Sequence, residues 1–125
     1  MWSKKRALIL VDHGSVVKEA NDMLEEIVKM IKQSKRCNFD IVCCAHMELA
    51  RPTISEVFEL CVSSGAEEIV VHPFFLFPGR HSTKDIPRMI SEIARNYPNI
   101  SYKITPPLGI HPKIVDVIFE RIGDV

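Results

Sequence analysis

An α/β fold, a small four-stranded parallel sheet with helices on both faces, is predicted by three features of this 125-residue chain. Short apolar runs alternate strictly with amphipathic stretches, in the order strand, helix, strand, helix, to the end of the sequence. The apolar runs are continuous rather than alternating, as in strands buried on both faces. Each crossover in such a chain returns over the sheet right-handedly, which covers the sheet with helices. With 46% hydrophobic and 26% charged residues over this length, one core is expected, and residues 1–125 read as a single domain.

Residues 7–11 (A-L-I-L-V) stop at Asp12-His13-Gly14-Ser15 and read as the central first strand with a tight turn behind it. In residues 18–34, Leu24, Ile27, Val28 and Ile31 recur at helical spacing with Glu25, Glu26, Lys29 and Lys32 opposite. A second strand over 40–45 leads to a helix over 53–64 that turns Ile54, Val57, Phe58 and Cys61 inward and stops at Gly65. The third strand is expected over 68–74, and the third helix over 84–97 on Ile86, Met89, Ile90, Ile93 and Ala94. A fourth strand over 101–105 and a helix over 111–122 complete a small flavodoxin-like layer fold. Pro and Gly cluster only in the short connections at 73–79 and 106–109.

Sixteen basic residues balance sixteen acidic ones, so no bulk positive field favours nucleic acid or anionic lipid. No apolar run approaches the ~20 residues of a membrane span. The charged start, Met-Trp-Ser-Lys-Lys-Arg, precedes an apolar run that ends at Asp12-His13, and no signal peptide is expected. Cys37, Cys43, Cys44 and Cys61 form no C-x-x-C pair and read as reduced core thiols of a cytosol-like compartment. Adjacent Cys43 and Cys44 point to opposite faces of a strand, poor geometry for joint metal ligation.

In an open parallel sheet, ligands bind beyond the carboxyl ends of the strands. The histidines concentrate there: His13 after the first strand, His46 with Glu48 after the second, His72 and His81 at and beyond the third, His111 past the fourth. Imidazole with carboxylate suits a first-row divalent metal, and a neutral imidazole also removes protons from a weakly acidic substrate. Several other chemistries lack their residues. His46-Met47-Glu48 has no downstream P-C-x-x-C for a nucleobase deaminase. The acidic pair and strand-end Asp of a receiver domain are missing, as are phosphate-cradling glycine loops. A Cys-His protease has no nucleophile at a strand end.

V-D-H-G-S (Val11 to Ser15), A-H-M-E-L-A-R-P (Ala45 to Pro52), P-F-F-L-F-P-G-R-H (Pro73 to His81) and D-I-P (Asp85 to Pro87), each behind a strand, together resemble the short CbiX/SirB-type class II tetrapyrrole chelatases. The resemblance runs from Ala7 through P-P-L-G-x-H at 106–111 to the final helix. That family inserts a divalent metal into sirohydrochlorin. The resemblance implies a chelatase-like fold in which His13 and His81 face each other across a cleft as metal ligands and pyrrole proton acceptors, with Glu48 as third ligand. Long members fuse two such halves, whereas short ones pair as homodimers, so a homodimer is expected here. The wording A-H-M-E-L-A and F-F-L-F-P-G-R-H is similar to the plant-like sirohydrochlorin ferrochelatase branch. That branch's cysteine-bearing C-terminal extension is not among these residues, and no iron-sulfur cluster is expected. The expected activity is therefore a sirohydrochlorin chelatase using Fe2+ or Co2+, then Ni2+, with no further cofactor, in the cytoplasm or in an organelle stroma after loss of a transit peptide. The alternative is a noncatalytic carrier of a divalent metal or tetrapyrrole.

Carboxylates on the macrocycle rim need cationic or N–H partners, and Arg51, Arg80, Lys84 and Arg88 lie in or beside the same loops. Ser15 is expected to add a hydroxyl and backbone N–H groups. Two or more of Phe74, Phe75, Leu76 and Phe77 are expected in strand-end core, the rest against the macrocycle. His46, two residues from Glu48, is a further candidate if the segment is extended, projecting to the same side. His72 reads as a hydrogen-bonded structural residue inside an apolar strand. His111 reads as a rim contact, since histidine is not a favoured helix cap.

Overall fold

The computed structural model describes residues 4–79 and 84–123. Its elements follow the expected order: β1 (Arg6–Asp12), α1 (Lys18–Gln33), β2 (Ile41–His46), α2 (Ile54–Ser63), β3 (Glu68–Pro73), α3 (Ile86–Ala94), β4 (Ser101–Ile104) and α4 (Pro112–Ile122). All strand pairs are parallel, in the order β2-β1-β3-β4. Among the described residues this is the flavodoxin order without a fifth strand, and its direction reverses between β1 and β3, where such sheets bind ligands.

Side chains of β1 alternate between two cores, as period-2 geometry requires. Ala7, Ile9 and Val11 meet Ile54, Phe58 and Cys61 of α2 and Ile86 and Ile90 of α3 on one face. Leu10 meets Leu24 and Val28 of α1 with Val42 and Cys44 of β2 on the other. Cys43 and Cys44 accordingly fall in opposite clusters. Burial pushes the Cys44 thiol up to about 11, so it stays protonated at neutral pH.

Element ends differ from expectation by a residue or more, for local reasons. Asp40 precedes β2 because its carboxylate accepts the Arg6 backbone N–H at 2.8 Å, turning the chain into the strand. Thr53 is the cap of α2 rather than its first residue: its side chain accepts the Glu56 N–H at 3.2 Å while Glu56 Oε1 accepts the Thr53 N–H at 3.0 Å. Helix α3 ends at Ala94, followed by turns in which Asn96 and Tyr97 donate to Ile93 and Ala94. Helix α4 differs in kind, with no buried residue, and Val115, Val117, Ile118, Phe119 and Ile122 are exposed along it.

Candidate active site

The β1 and β2 ladder does not stop at the strand ends. Asp12 pairs with His46 in register, then the Met47 N–H donates to the Asp12 carbonyl at 2.9 Å and the Glu48 N–H to the His13 carbonyl at 3.1 Å. These two bonds tie the loops together just beyond the strand ends and set residues 13 and 48 side by side. There His13 Nε2 lies 2.8 Å from Glu48 Oε1, with both side chains open to solvent. The pair bridges the carboxyl ends of β1 and β2, with His13 on the strand that borders the reversal between β1 and β3.

Gly14 makes the approach of the two loops possible. Its φ is +91°, and a Cβ there would lie 2.0 Å from the Glu48 carbonyl oxygen and 3.0 Å from His46 Cβ. No side chain fits, so glycine is required by both angle and space.

Beneath this turn lies His46, buried at 2% exposure, the one buried polar side chain among the described residues. Its Nδ1 is 2.5 Å from Asp12 Oδ1. The expectation that His46 stands open beside Glu48 is corrected: the strand ends at His46, so the extended spacing that would share a side does not reach residue 48. Asp12, the missed partner, was legible as the residue facing His46 across matched strand ends.

The remaining candidates divide. Ser15 is internally engaged: its N–H donates to Asn21 Oδ1 at 2.9 Å, and its Oγ accepts the Val17 N–H at 3.0 Å. The expected free backbone N–H is therefore taken by α1. Arg51 forks onto Glu56, with Nε to Oε1 at 3.1 Å and a second bond from Nη2 to Oε2. The Arg51 guanidinium, with the Thr53 N–H, holds the Glu56 carboxyl down to about 2. Lys84 is exposed just before α3, and Arg88 pairs with Glu92 at 3.6 Å. Arg80 and His81 lie outside the described residues. Among the described residues, no three His, Cys, Asp or Glu side chains are grouped to hold a metal ion.

His72 Nδ1 meets Thr105 Oγ1 at 2.8 Å, and burial pushes its pKa below the ordinary value. It is the structural residue expected. His111 is a correction, for its Nδ1 accepts the Lys113 N–H at 3.1 Å and caps α4. Pro112 has no N–H, so the first donor of the helix is the one an imidazole reaches. Phe74 and Phe75 pack against the two cores while Leu76 and Phe77 are exposed.

A model of the CbiX family matches residues 7–125. The chain belongs to the CbiX family. Over 115 residues it is 52% identical to a protein named sirohydrochlorin ferrochelatase, chloroplastic, from Arabidopsis thaliana, covering 92% of this chain and 50% of that one. The sirohydrochlorin chelatase SirB of Bacillus subtilis subspecies spizizenii, solved with cobalt, superposes with a TM-score of 0.88 at 33% identity, covering 97% and 51%. SirB from Bacillus subtilis with Fe3+ gives 0.87 at 32%, covering 96% and 47%. The chain thus spans about half the length of these relatives. Among the described residues of this CbiX chain, no helix is long and apolar enough to cross a membrane.

Proposed function

We propose that this CbiX-family chain is a sirohydrochlorin chelatase: it inserts a divalent metal into the macrocycle and releases two protons. The observation that carries the reading is the His13–Glu48 pair, 2.8 Å apart at the carboxyl ends of β1 and β2. Imidazole and carboxylate together bind first-row divalent ions and exchange them, and both accept protons. In the balanced reaction the ion loses its waters to this pair, the pyrrole nitrogens displace the pair, and two N–H protons leave to basic groups and solvent. His13 serves as ligand and proton acceptor, Glu48 as ligand, and His81 as the facing ligand and acceptor. The metal is a substrate, Fe2+ or Co2+ before Ni2+, in keeping with the metals in the two SirB structures.

Exposed apolar side chains on the loops after β1, β2, β3 and β4, namely Val16, Leu49, Phe77 and Ile110, suit a flat apolar ligand at this edge. Lys84, Arg88 and Arg80 are assigned to its rim carboxylates. Arg51 serves there only by leaving Glu56, and Ser15 through its hydroxyl alone. A second copy completes the cleft. Support comes from α4, an 11-residue helix too short to persist without a packed face. Its apolar side chains run on from Ile110, which is 97% exposed. The compartment proposed is the cytoplasm or an organelle stroma.

The test is anaerobic insertion of Fe2+, Co2+ and Ni2+ into sirohydrochlorin, followed by the macrocycle's visible spectrum with wild type, with His13→Ala, and without protein. Acceleration by wild type that His13→Ala loses is expected. A wild-type rate equal to the protein-free rate for every metal refutes the activity.

A further inference from the structure

Among the described residues, Leu49 alone combines a side chain with a positive φ, +68°. An L-residue there crowds its Cβ against the backbone, and glycine or asparagine is the ordinary occupant. The turn itself is imposed. Residues 47 and 48 are tied to the end of β1 by the two ladder bonds, and the chain must return so that the His46 N–H donates to the Pro52 carbonyl at 2.9 Å. Gly14, with no side chain, lets the Glu48 carbonyl lie close against it, which keeps the turn tight. A left-handed residue at 49 makes the reversal, and glycine would make it without strain.

Leucine is therefore unexplained by the turn, and burial does not explain it either, because Leu49 is 60% exposed. The fold carries both backbone strain and an exposed apolar side chain at one residue, and that residue adjoins Glu48, whose carboxylate meets His13. Backbone strain held in place by its surroundings clusters at active sites and ligand clamps.

We infer that Leu49 is a substrate-contact residue, its side chain set by the strained turn against the apolar face of the macrocycle beside the metal-delivering pair. This rests on the chelatase reading above. Glu48 and Leu49 then divide the work of one loop, the first handling the ion and the second the ring.

Leu49→Gly and Leu49→Asn both accept the left-handed turn and remove the apolar contact. Melting temperature, the KM for sirohydrochlorin and the KM for Co2+ are measured for each. Both variants are expected to melt at or above the wild-type temperature. The macrocycle KM is expected to rise about tenfold, as for a leucine side chain losing its burial on a ligand. The KM for Co2+ should stay within about twofold of wild type. An unchanged macrocycle KM, or a rise confined to the metal KM, overturns the assignment while leaving wild-type insertion, and so the chelatase reading, intact. Lower melting temperatures in both variants overturn it too, by making Leu49 a folding residue. A wild-type protein that neither accelerates insertion nor shifts the macrocycle spectrum overturns both.

Discussion

Replacing Gly14 by alanine tests the idea that one backbone contact holds the active loops together. The new Cβ would sit 2.0 Å from the Glu48 carbonyl oxygen and 3.2 Å from its carbon. The obstacle is backbone, so the loops must part by at least about 1 Å to leave the forbidden range, and by about 1.4 Å to reach ordinary contact. Parting them weakens the bonds from Met47 N–H to Asp12 and from Glu48 N–H to His13, at about 0.5–1.5 kcal/mol each. A positive φ on a residue with a Cβ adds about 1–2 kcal/mol. The sum, about 2–5 kcal/mol, is below the 5–15 kcal/mol typical of a domain. Gly14→Ala should therefore fold, with a melting temperature lowered by roughly 8–20 °C. A displacement of 1 Å at the reacting groups costs on the order of a hundredfold in rate, so insertion by the folded variant should fall by that factor. Thermal melts followed by circular dichroism and the anaerobic insertion assay read the two effects separately. A variant with wild-type melting temperature and wild-type rate would refute the argument, since the contact would then hold nothing.

Asp12→Ala leaves the buried His46 Nδ1 without its partner and should cost about 1–3 kcal/mol in urea unfolding; Asp12→Asn, which keeps an acceptor, should recover much of it. His72 is held below its ordinary pKa by burial, so the unfolded chain binds its proton more readily and stability should rise with pH up to about 6.5, then level off. His72→Gln should flatten that rise in unfolding curves recorded from pH 5 to 8, and an unaltered slope would remove His72 as its source. Phe119→Asp, on the exposed face of α4, should convert a dimer to a monomer in sedimentation velocity; an unchanged mass would place the interface elsewhere.

Much of the fold was legible because the chain states it twice, in periodicity and in punctuation. The run at 7–11 and the stripe of Leu24, Val28 and Ile31 need no tertiary knowledge. The end of α2 at Gly65 is also written locally, as a residue with φ of +97°. The ladder bonds beyond β1 and β2 were not legible, because they depend on two loops meeting rather than on either alone. His46 was misplaced for the same reason: spacing from Glu48 is a strand argument, and the strand ends at His46. His111 was misjudged because cap preference is averaged over helices, whereas here the imidazole Nδ1 reaches the ordinary capping donor, the Lys113 N–H, behind a Pro112 that has none.

The site is tied to the end of the sheet by two loop hydrogen bonds, and this explains why its parts are coupled. Asp12 and His46 close the ladder in the core, Gly14 lets the next turn lie flat on Glu48, and His13 then meets Glu48 with no element of its own to support it. The strands end in register at Asp12 and His46, and the loops beyond meet with a one-residue offset, so that residue 13, one past β1, lies beside residue 48, two past β2. A residue pair of this kind is positioned by strands packed into the core while remaining open to solvent itself. Under the proposed function, that combination of a rigid base with accessible side chains is what taking up a hydrated ion and giving it to a second ligand requires.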